Sequence, residues 1–65
     1  MEYQVCLLDP KYKLAIREDR EPLFSTDDLC RAIEFGVEHY TQHREPIGVW
    51  QPRLEIFREQ WSEWE

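Results

Sequence analysis

Leu29, Ala32, Ile33, Gly36, Val37 and Tyr40 recur at i, i+3, i+4, i+7, i+8 and i+11, the spacing that lines residues up along one side of an α-helix. At about 100° per residue they share an arc of about 140°. Signals at both ends agree with this reading. Ser25 is suited to cap the N-terminus, with Asp28 in the capping-box position and Asp27 beside it at the positive end of the dipole. Phe24 and Leu29 stand at the two positions of a hydrophobic staple. Arg44 suits the negative pole, and Pro46 disfavours helical geometry at Glu45. The pattern predicts one amphipathic helix over about 25–44, against which the rest of the chain is laid.

Two residues of this helix need more than simple burial. Phe35 lies outside the apolar arc and calls for a second contact. Gly36 sits near the middle of the arc, where glycine is about 1 kcal/mol less favourable than alanine. It implies close packing, either on a bulky neighbour or on the helix of a partner.

Before the helix, Tyr3, Val5 and Leu7 alternate with Gln4 and Cys6, which predicts a strand over Glu2 to Leu8. Asp9-Pro10 supplies a turn, and Lys13 to Glu18 alternates again, so the two segments are expected to form an antiparallel hairpin. The charged stretch from Glu18 to Pro22 reads as a loop. After the helix, Ile47 to Gln51 reads as a third strand, with Ile47 and Val49 on one side and Trp50 on the other. The expectation is one small α+β domain spanning residues 1–65, a β-β-α-β unit with the helix on a three-stranded sheet. Pro52 to Glu65 fits two templates. As a helix it aligns Leu54, Phe57, Trp61 and Trp64; as a strand it alternates Leu54 and Ile56 against Glu55 and Phe57. Its Glu, Gln and Arg content favours the helix over a fourth strand.

Sixty-five residues with a net charge of −6 narrow the functional classes. A chain this short buries about 60% of its unfolded surface, and the 14% aromatic content compensates, because each ring can bury about 150–250 Å². Residues 1–20 balance four acids with four bases, residues 21–45 carry six acids against two bases, and residues 46–65 four against two. The basic footprint of a DNA- or RNA-binding surface is missing, and so is a cationic face for anionic membranes. No apolar run approaches the roughly 20 residues of a membrane span, and the acidic N-terminus lacks the pattern of a signal peptide. A soluble, cytoplasmic protein is expected, with no direct nucleic-acid binding and no membrane partner. Cys6 and Cys30 form neither a CxxC nor a zinc pattern and read as small buried or half-buried hydrophobes.

Few constellations carry chemistry. His39 and His43 are one helical turn apart and form a candidate metal pair, but a zinc site needs a third and usually a fourth ligand, which no spacing here supplies. No metal or other cofactor is assigned. A ligand pocket of about 300 Å³ would consume most of so small a core, and no nucleophilic triad, phosphate loop or carboxylate pair is visible. The chain therefore reads as non-enzymatic.

Binding is the remaining class. Phe57, Trp61 and Trp64 concentrate near the C-terminus, and tryptophan is enriched in interface hot spots. They either fold back over Phe35 or dock on another protein. The expected function is a protein-binding regulator or inhibitor, with Phe35, Trp50, Phe57, Trp61 and Trp64 as contacts and Glu34 and Glu38 steering the approach. A homodimer that completes its core across an interface is a related arrangement. One alternative is an acidic DNA mimic built on the carboxylates around Arg31, which itself pairs with Asp27; the other is a metal module at His39 and His43.

Overall fold

A computed structural model describes residues 1–9, 11, 15–16 and 21–62. It is an α+β fold in which one helix lies on one face of an antiparallel sheet. The elements are β1 (Tyr3–Asp9), β2 (Ala15–Ile16), β3 (Phe24–Thr26), α1 (Leu29–His43), β4 (Ile47–Gln51) and β5 (Ile56–Trp61). The five strands fill four positions. β2 pairs with the end of β1 through Leu8–Ile16 and Asp9–Ala15, and β3 pairs with its beginning through Tyr3–Thr26 and Val5–Phe24, so the two share one edge. β4 lies on the other side of β1, and β5 is outermost beyond it.

The expected hairpin of the first two strands forms at β1–β2. Pro10 lies outside the described residues, but Asp9 acts as turn chemistry predicts, its Oδ1 accepting the amide of Lys11 at 2.9 Å. The third expected strand coincides with β4 and runs antiparallel to β1.

Three expectations are corrected. The sheet is wider than three strands. The helix starts later than position 25: Ser25 belongs to β3, and Asp28 is the N-cap, its Oδ1 accepting the amide of Cys30 at 2.9 Å. Both residues are good caps, and pairing of Phe24–Thr26 with β1 decides between them. The third correction concerns the C-terminal segment, which is not a helix. Pro52–Glu55 form a turn and Ile56–Trp61 return as a strand along β4. Leu54 and Glu55 donate to the carbonyls of Gln51 and Pro52, and Glu55 adopts a left-handed φ of 54°. Helix propensity is a small bias per residue, and the ladder that completes the open side of β4 outweighs it.

Packing explains how β5 is held. Val5, Ile47 and Val49 project from the sheet onto Ala32 of the helix, with Phe24, Leu29, Ile33, Phe35, Tyr40 and Trp61 around them. Val37, counted in the apolar stripe, is 45% exposed. The register steps from Val49–Glu59 to Trp50–Phe57, leaving Arg58 as a bulge. Residues four apart on a regular strand share a face, but the extra residue sends Phe57 and Trp61 to opposite faces. Each then meets one of the two glycines in the chain. A Cβ on Gly36 would stand 2.4 Å from Cζ3 of Trp61, and one on Gly48 would stand 3.1 Å from the ring of Phe57. Neither glycine has a positive φ, so space rather than backbone freedom requires them. The bulky neighbour expected at Gly36 is Trp61.

Candidate functional site

The aromatic residues divide into two groups on different elements. The first runs along the flank of α1. Phe24, on β3, stacks on Phe35 with ring centroids 4.8 Å apart and planes 8° from parallel, which is the second contact that Phe35 requires. His39 follows one turn later, 6.3 Å from Phe35 at 14°, and His43 lies 4.5 Å beyond it at 37°. Residues four apart on a helix stand above one another, so the sequence itself dictates this ladder. A depression of about 130 Å³ opens beside it, lined by Phe35, Glu38, His39 and Gln42. A neighbouring one is lined by Phe24, Arg31, Glu34, Phe35 and Glu38.

Electrostatics on this flank are mainly negative. Glu34 and Glu38 are exposed. Arg31 lies 4.0 Å from Asp28 rather than pairing with Asp27, and at that exposure the contact is worth little. His39 Nε2 is buried without a hydrogen bond, although Glu45 Oε1 is 3.5 Å away, within ion-pair reach but outside hydrogen-bond geometry. Among the described residues no three His, Cys, Asp or Glu side chains are grouped to hold a metal.

The second group occupies the β4–β5 hairpin. Trp50 and Phe57 are register partners, packed edge to face at 4.8 Å, on the sheet face opposite the helix. Beside them is Gln51, 1% exposed. Its Nε2 donates to Sδ of Met1 at 2.7 Å and its Oε1 accepts from Nη1 of Arg58 at 3.3 Å. Met1, Leu54 and Ile56 each adjoin Gln51 and are 63%, 51% and 42% exposed. Leu54 donates its amide to the carbonyl of Gln51, and Ile56 is its register partner.

No family model, curated protein or solved structure matches this chain. Of the residues singled out in the sequence, Trp50 and Phe57 come together, and Phe35 joins Glu34 and Glu38. Trp61 stands apart from both groups, lying half-buried against Gly36 under the helix. Trp64 lies outside the described residues. Sequence reasoning missed Met1, Leu54 and Ile56, because a C-terminal helix would have turned Leu54 inward. The two cysteines are free: Cys6 is buried, and burial pushes its thiol pKa up, whereas Cys30 is exposed rather than half-buried. No helix among the described residues is long and apolar enough to cross a membrane.

Proposed function

We propose that this chain is a small non-enzymatic protein-binding module, a regulator or inhibitor, whose docking surface is the end of the β4–β5 hairpin. One observation carries the reading. Of the four large hydrophobic residues most exposed among those described, three (Met1, Leu54 and Ile56) adjoin the buried Gln51, Met1 through its sulfur, Leu54 through a backbone hydrogen bond and Ile56 as its register partner. Single exposed apolar residues are ordinary, whereas a cluster rimmed by charge marks an interaction site. Arg53, Glu55 and Arg58 are exposed along the same segment, and the Trp50–Phe57 pair, on the opposite face of the same strands, offers the kind of rigid aromatic anchor that dominates interface energies.

The test is capture of a partner by the full chain at low and high salt, with a Leu54→Asp/Ile56→Asp variant as control. Ile56 is 42% exposed and lies in β5, where Asp is a poor strand former, so circular dichroism checks that the variant is folded, and Ile56→Thr, which keeps a β-branched residue, serves as a second control. A partner held at high salt and lost in the variant supports the hairpin surface. A partner that fades with salt and with Glu34→Lys/Glu38→Lys, yet is still held by the Leu54→Asp/Ile56→Asp variant, would overturn it in favour of the acidic flank. Sedimentation of the free chain identifies the partner as a second copy if a dimer forms and the variant dissolves it.

A further inference from the structure

We propose that the depression beside Phe35 and His39 on α1 is a slot for an arginine side chain carried by a protein partner. It lies on a different element from the hairpin surface and goes beyond that reading. The two share only the premise of a protein partner.

The ring ladder is uneven. Its outer steps are closed, at 4.8 Å for Phe24–Phe35 and 4.5 Å for His39–His43, while the middle step is 6.3 Å. The cavity lies beside this wider step, with Phe35 and His39 in its walls and Glu38 and Gln42 beside them. Two faces within 14° of parallel are suited to a flat occupant. Stacking a planar group against both would need about 7 Å, twice the ordinary contact distance of about 3.5 Å, so the 6.3 Å step has to open by about 0.7 Å, with the exposed His43 ring, 4.5 Å beyond His39, moving along with it.

Charge chooses among flat groups. The carboxylate of Glu38 and the amide oxygen of Gln42 are acceptors, and Glu45 adds a second carboxylate behind His39. Residues 21–45 carry six acids against two bases. A guanidinium satisfies the whole set, because it is planar, always charged, stacks on aromatic faces and donates in a fork to a carboxylate. A lysine ammonium carries the charge without the plane. The surface is also longer than one side chain. The neighbouring depression shares Phe35 and Glu38 and continues to Glu34, with Arg31 on its wall, so two carboxylates against one cation leave it net acidic and a peptide presenting two cations uses the surface more fully than a free amino acid.

The experiment follows the ring resonances of Phe35 and His39 in the full chain by NMR during titration with a capped Gly-Arg-Gly-Arg-Gly peptide, its lysine counterpart and a capped single arginine. The arginine peptide is expected to shift both rings and to bind several-fold tighter than either of the others. Loss of a charge-assisted fork in Glu38→Gln should weaken it about tenfold. Glu59→Gln, which removes the same charge outside the slot, should leave affinity unchanged. Equal binding of the arginine and lysine peptides, or equal losses in the two variants, would reduce the effect to diffuse attraction and overturn the slot. A single arginine binding as tightly as the peptide would overturn the protein source while leaving the slot. Neither outcome touches the hairpin, whose Leu54→Asp/Ile56→Asp variant should bind the arginine peptide normally.

Discussion

Replacing Gly36 with alanine tests the packing of β5 most directly. Taken alone, the change favours the helix by about 1 kcal/mol. The new methyl group would sit 2.4 Å from Cζ3 and 2.8 Å from Cη2 of Trp61, where ordinary contact begins at 3.4 Å. The indole must retreat by about 1 Å, yet its strand is held in register along β4, and overpacking of this kind is typically destabilising by about 1–3 kcal/mol. The net expectation is a loss of about 1 kcal/mol. In a domain this small, that lowers the melting temperature by about 4–8 °C. Trp61→Leu removes the obstructing ring and is itself destabilising, but in that background Gly36→Ala should become stabilising by about 1 kcal/mol. Urea unfolding of the four proteins, followed by circular dichroism, measures the full cycle. If Gly36→Ala has the same effect in both backgrounds, or stabilises the parent chain, the indole does not lie on Gly36 and the account of β5 is wrong.

Two further outcomes follow from local chemistry. Asp28→Ala should destabilise the fold by about 1 kcal/mol through loss of the N-cap, while Ser25→Ala, in β3, should change stability by a few tenths at most; thermal melts of both variants separate the two cap assignments. A thiol-alkylation time course should show Cys30 reacting at once and Cys6 only on unfolding. Burial raises the pKa of Cys6 above its usual 9.0, so its neutral form is favoured in the folded state. That contribution is fully present below pH 9.0 and is lost as pH rises through the folded value, and Cys6→Ala should remove this part of any alkaline destabilisation.

Elements with a regular period could be read from the sequence. Alternation located β1 and β4, and the apolar stripe located α1. The helix start was ambiguous because Ser25 and Asp28 are both good caps, and three residues of β3 are too few to display a period. β5 was obscured for a different reason. Its bulge at Arg58 shifts the alternation halfway along, so Phe57 and Trp61, four apart, mimic a helical stripe while serving opposite faces of a sheet. At the candidate sites, Phe35 was conspicuous because it fell outside the arc. Leu54 and Ile56 were not, since their exposure depends on a turn that only strand pairing creates.

The irregularity at Arg58 also bears on behaviour at high concentration. β5 is the outermost strand of its side of the sheet, and a flat outermost strand is a template on which other chains can stack into aggregates. An extra residue in mid-strand twists that template out of line, and a two-fold pairing centred on it would set Arg58 against its own copy, or Glu59 against its own copy one residue on. The edge is thereby guarded by both shape and charge. Removing Arg58 would do more than misplace one ring: it would straighten the edge and open it to pairing with other chains.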